Sequence, residues 1–123
     1  MELSIKSHAL DLSEALWAYT ERRFRFSLGG FAKQLQSVEV RLSDVNGPRG
    51  GIDKSCTVTV ILEQLGVVFA RAKGANAYST VDRAASRVRS ALARRLGRHR
   101  ADRRLGRRLS ITELAGSRDH AGK

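Results

Sequence analysis

Three segments in the middle of this chain alternate apolar and polar residues, with turn signals between them. Residues 36–45 set Val38, Val40 and Leu42 against Glu39, Arg41 and Ser43. Residues 54–64 put Cys56, Val58, Val60 and Leu62 on one face, and residues 67–73 follow after a tight Leu65-Gly66 hairpin. A period of two sends alternate side chains to opposite faces of a strand, so these runs predict an antiparallel meander with one apolar face. That face has to be covered. Asn46-Gly47-Pro48-Arg49-Gly50-Gly51, with the chain's only proline, is the turn cluster between the first two runs.

The cover comes from two stretches with helical period. Ser13 is an N-cap with Glu14 in the first turn, and the stripe Leu12, Leu16, Tyr19 or Thr20, Arg23 or Phe24, Leu28 carries a helix to Gly29-Gly30. From Asn76 to Arg108 the chain reads as one long helix, capped by Asn76 after Gly74. Its apolar stripe is Val81, Ala85, Val88, Leu92 and Leu96. A short strand over residues 2–7, with Leu3 and Ile5 pointing one way, precedes both helices. The order is β-α-β-β-β-α. The first helix is a crossover, so strands one and two run parallel. Each helix has one apolar stripe, which predicts an α+β two-layer sandwich: a four-stranded sheet with both helices on one face and its other face in solvent. Past Gly97 the periodicity weakens. The reading is a folded domain over residues 1–100 and a basic tail over 101–123 that is disordered when free.

Charge is the second constraint. Among 123 residues, 23 are Lys or Arg and 12 are Asp or Glu, a net charge of +11. Eighteen of the basic residues are Arg, and eleven of these fall between Arg83 and Arg108 against one acid, Asp102. At ~100° per residue, Arg83, Arg87, Arg94 and Arg98 fall opposite the apolar stripe, with Arg89, Arg95 and Arg100 on its flanks. A solvated helix face normally mixes signs for i,i+4 pairing, and this one does not. Arginine's planar fork binds phosphate at two points and stacks on bases, so the pattern points to a nucleic-acid partner. A GC-rich genome would also raise Arg over Lys. Arg22, Arg23 and Arg25 form a second cluster, read either as ligand contacts or as charges favoured at a helix C-terminus. Arg103, Arg104, Arg107 and Arg108 add non-specific phosphate affinity.

Other residues carry plainer readings. Cys56 is a small core residue in a reducing compartment, without a disulfide partner. Trp17 and Tyr78 are packing residues; Asp82 caps its helix or tethers an arginine. Lys54, Arg71 and Lys73 read as charges protecting a sheet edge. The Gly47–Gly51 turn lacks the setting of a phosphate-cradling loop. His8, His99 and His120 are scattered, so no metal, cofactor or small-molecule substrate is expected, and no catalytic constellation is visible. No signal peptide or membrane-length apolar run is read, which implies a cytoplasmic protein without membrane association.

Five features together resemble the ribosome hibernation-promoting factors, also called ribosome-associated inhibitors or ribosomal subunit interface proteins, in their short form. They are the first strand with the Leu12-Ser13-Glu14-Ala15-Leu16 helix opening; the Val38-Glu39-Val40-Arg41-Leu42 strand; the 44–54 loop; the helix entry Asn76-Ala77-Tyr78-Ser79-Thr80-Val81-Asp82; and the basic helix with Leu92 and Leu96 inward. The similarity spans about residues 2–100, and the helix entry is its most specific part. The resemblance implies a non-enzymatic translation regulator, monomeric when free. It would bind ribosomal RNA of the small subunit in the decoding channel and block tRNA and messenger RNA under stress. The RNA-binding candidates are then Arg22, Arg23, Arg25, Arg83, Arg87, Arg94, Arg95, Arg98 and Arg100. Alternatives are a general structured-RNA module of the double-stranded-RNA-binding type and a basic adaptor for an acidic protein.

Overall fold

The computed structural model describes residues 1–44 and 53–112, with side chains described as far as Gly97. The chain divides into two compact units, Met1–Ala91 and Leu92–Lys123. In the first unit β1 (Glu2–His8) leads into α1 (Glu14–Leu28) and a 3-10 turn over Gly29–Gln34. Then come β2 (Leu35–Asp44), β3 (Lys54–Leu62), β4 (Gly66–Gly74) and the opening turns of α2 (Ala77–Thr112). The sheet order is β1-β2-β3-β4, with β1 parallel to β2 and the other pairs antiparallel. This is the α+β sandwich that the hydrophobic pattern predicts.

One face of the sheet is dry. Val38, Val40 and Leu42 of β2, Cys56, Val58, Val60 and Leu62 of β3, and Val68, Ala70 and Ala72 of β4 are all buried. Leu16, Phe24 and Leu28 of α1 and Val81, Ala84, Ala85 and Val88 of α2 complete this core. Each large side chain so buried is worth about 1.5–3 kcal/mol of transfer free energy. The ambiguous α1 positions resolve to Thr20 and Phe24, both fully buried, and Thr20 returns its hydroxyl to the Leu16 carbonyl at 2.8 Å. The two helices meet through small residues: the buried Ser27 hydroxyl donates to the Ala85 carbonyl at 3.2 Å.

The ends of the elements follow their chemistry. Ser13 Oγ accepts from the Leu16 amide at 3.1 Å and caps α1. Gly29 keeps right-handed helical geometry, φ −59° and ψ −33°, so the backbone tightens into the 3-10 turn after Leu28. The β3–β4 turn holds Gln64 and Gly66 at φ 63° and 89°, a left-handed geometry that glycine adopts without a steric penalty. The predicted turn cluster at residues 46–51 lies outside the described residues.

Two expectations change. Trp17 is exposed at 43%, because Leu16, Thr20 and Phe24 occupy the inward stripe of α1. Lys54 protects no edge: β3 is interior, and Lys54 bonds Asp53 at 3.1 Å and Asp44 at 3.3 Å. Both carboxylates raise its pKa, that of Asp53 most. The helix α2 runs to Thr112, four residues past the Arg108 at which the sequence reading ends it. Arginine and leucine are strong helix formers, so local propensity continues where amphipathic periodicity fades. Residues 113–123 of the predicted tail lie outside the described residues.

Candidate nucleic-acid interface

The entry to α2 is fixed by Asn76. Its Oδ1 accepts from the amides of Tyr78 at 2.8 Å and Ser79 at 3.1 Å, satisfying donors that a helix start leaves orphaned. Thr80, fully buried, donates its hydroxyl to the Asn76 carbonyl at 2.7 Å. This phasing turns Tyr78 and Asp82 toward α1. There the Tyr19 hydroxyl donates to Asp82 Oδ1 at 2.6 Å and Arg23 Nε donates to the same oxygen at 3.1 Å. The Tyr19 and Tyr78 rings stand edge to face, 5.1 Å between centroids at 70°. The Asp82 hydrogen bond, then burial, holds the Tyr19 phenol above its ordinary range. The helix-entry motif is thus a clamp between the two helices, and Asp82 is an arginine tether.

That clamp sorts the first arginine cluster. Arg23 is committed to Asp82. Arg25 pairs with Glu21 at 3.2 Å, an exposed i,i+4 contact worth a few tenths of a kcal/mol. Arg22 is exposed, with no ion pair among the described residues, and beside it Phe26 is 85% exposed.

Arg83 and Arg87 stand elsewhere than the apolar stripe places them. Thr80 and Ala84 are buried, which widens the inward arc of α2 toward these arginines and leaves Ser79, Ser86 and Ser90 on the far side. Arg83 and Arg87 therefore flank the arc and reach over β4, the outer strand. Arg83 Nη2 donates to the Lys73 carbonyl, and Arg87 Nη1 donates to the Arg71 carbonyl at 2.7 Å. Both remain exposed. A carbonyl orients a guanidinium without cancelling its charge, whereas a carboxylate does both. These two side chains are positioned cations. Gly74 permits the arrangement: a Cβ there would collide with Arg83 and lie 2.6 Å from the Thr80 hydroxyl oxygen. Arg89 lies over the Phe31 ring at 5.9 Å, a cation–π contact with the 3-10 turn.

In the second unit Arg94 is exposed, Arg95 is half-buried, and Leu92 and Leu96 are buried. The backbones of Arg98 and Arg100 lie within α2, and their side chains lie outside the described residues. Cys56 is buried, which pushes its thiol up to about 12 and keeps it protonated. Among the described residues no group of His, Cys, Asp or Glu is placed to hold a metal, and no helix is long and apolar enough to cross a membrane. The apolar stripe gives no hint of the anchoring carbonyls on β4. The signal is the outward alternation Phe69, Arg71, Lys73 on the strand whose carbonyls anchor Arg83 and Arg87.

The family model for sigma 54 modulation protein / S30EA ribosomal protein matches residues 3–100. A ribosomal subunit interface protein from Coxiella burnetii superposes with a TM-score of 0.67 at 18% identity, over 76% of this chain and 96% of that one. The N-terminal domain of Protein Y from Thermus thermophilus gives 0.61 at 21% identity, over 76% and 98%. No curated protein sequence matches the chain. The solved structures share its fold and the family model spans strand, clamp and basic helix alike, so the chain belongs to the S30EA ribosomal protein family, that of the ribosome hibernation-promoting factors.

Proposed function

We propose that the protein is a cytoplasmic, non-enzymatic regulator of translation that binds the small ribosomal subunit through ribosomal RNA. On this reading it occupies the path of messenger RNA and tRNA and holds the ribosome idle under stress. Arg22, Arg25, Arg83, Arg87, Arg94, Arg95, Arg98 and Arg100 face phosphate, while Arg23 chiefly holds the helices together. The observation that carries the reading is the pair Arg83 and Arg87, oriented by neutral carbonyls so that their full charge remains for a polyanion. Structured RNA is recognised through shape, phosphate and 2′-OH contacts, which calls for positioned cations and no catalytic group.

The test uses Arg22→Glu and Arg94→Glu together, two exposed positions outside the clamp. Small-subunit affinity falls by tenfold or more, and the slope of log affinity against log salt becomes shallower by about 0.7–0.9 for each phosphate no longer neutralised. The denaturation midpoint stays unchanged. Unaltered affinity and slope in a folded variant would refute the reading; length-dependent binding to any duplex would favour the general RNA-binding module.

A further inference from the structure

We infer that the open face of the sheet along β4 is a second RNA-binding surface, which takes an unpaired base on Phe69 and its flanking phosphates on Arg71 and Lys73. The proposal rests on the RNA-directed reading above and adds a surface and a substrate class to it: single-stranded rather than helical RNA.

The strand register builds the site. One row across the open face runs Lys6, Arg41, Thr57, Arg71, and the next runs Ser4, Glu39, Thr59, Phe69. Strands lie about 4.8 Å apart, so the first row is a line of three cations about 14 Å long beside an exposed aromatic. Its one adjacent acid, Glu39, is engaged by Arg41 at 3.0 Å and Lys6 at 3.6 Å at the far side of the sheet. Both cations lower its pKa, Arg41 most. Arg71 and Lys73 are exposed and enter no ion pair among the described residues. Their backbone carbonyls anchor Arg87 and Arg83, so four cations line the outer edge of β4 with no carboxylate among them.

Phe69 is 57% exposed in this setting, a costly position for a phenylalanine without a partner molecule to cover it. Its ring is a flat platform with cations along the same strand, the combination that lets a protein stack an unpaired base while neutralising the backbone. A duplex hides its base faces and cannot use such a platform. Charge complementarity and the aromatic together select single-stranded RNA.

The test is titration of a fluorescent, unstructured oligouridylate with wild type, Phe69→Ala and Phe69→Tyr, beside small-subunit cosedimentation of wild type, Phe69→Ala and the Arg22→Glu, Arg94→Glu variant. Phe69→Ala should weaken oligouridylate binding by about five- to over a hundredfold, the range that one stacked base supports. Phe69→Tyr keeps the ring and should retain affinity within about twofold, with denaturation midpoints verifying the fold of each. No wild-type binding to oligouridylate, no loss in Phe69→Ala, or an equal loss in Phe69→Tyr would overturn the proposal. If Phe69→Ala is silent while Arg22→Glu, Arg94→Glu loses the subunit, the sheet surface fails and the small-subunit reading stands. If Phe69→Ala loses oligouridylate while Arg22→Glu, Arg94→Glu keeps the subunit, the sheet surface stands and the helix-based reading fails.

Discussion

Asp82 shows how one carboxylate settles the role of its neighbours. It accepts from both Tyr19 and Arg23, and so occupies an arginine that composition alone would count toward a ligand. Replacing Asp82 with Asn keeps the shape and removes the charge. The loss is expected at about 1–2 kcal/mol, at the lower end for charged hydrogen bonds because the site is partly exposed, and urea denaturation reads it. The clamp is also pH-dependent. The Tyr19 pKa is raised in the fold, so its contribution is fully present below the ordinary tyrosine pKa of 10.0 and is lost as pH rises through the higher folded value. Stability above pH 10 should therefore fall more steeply in the wild type than in Tyr19→Phe. Gly74→Ala is a second expectation at this scale. The added methyl must displace Arg83 from the Lys73 carbonyl while the buried Thr80 cannot yield. A loss of about 1–3 kcal/mol by the same measurement is expected from overpacking of this kind.

At the scale of elements, β4 is an outer strand whose edge is managed from above. Arg83 and Arg87 occupy two of its outward carbonyls, and Arg71 and Lys73 add charge alongside, which discourages strand-to-strand association. Arg83→Gln with Arg87→Gln leaves that edge less covered. The double variant should lose about 1 kcal/mol, since each bond is exposed, and should self-associate at high concentration, which light scattering reads. The elements are legible in the sequence because their periods are unambiguous: Val38, Val40 and Leu42 alternate, and Val81, Ala85 and Val88 recur at helical spacing. The orientation of α2 is less legible. Its inward arc is widened by Thr80 and Ala84, a polar and a small residue that hydrophobic patterning underweights, so the pattern sets Arg83 and Arg87 opposite the core instead of over β4. Trp17 escapes the pattern for a related reason, since bulk alone does not say which flank of a helix a residue takes. The Tyr19–Asp82 pair lies beyond local reading altogether, being 63 residues apart in the chain.

For the molecule as a whole, the charge of +11 has a distribution. Carboxylates hold Arg23 and Lys54 in structural pairs, while carbonyls hold Arg83 and Arg87 and leave their charge intact. This division explains how so basic a chain folds and still presents a surface for a polyanion. Membership of the S30EA family makes the ribosome the first partner to test. The direct measurement is sedimentation of the full chain with purified ribosomal subunits across a salt series. Saturable co-migration with the small subunit, persisting at salt sufficient to strip non-specific binders, is the expected result. Equal association with both subunits, vanishing together as salt rises, would contradict it.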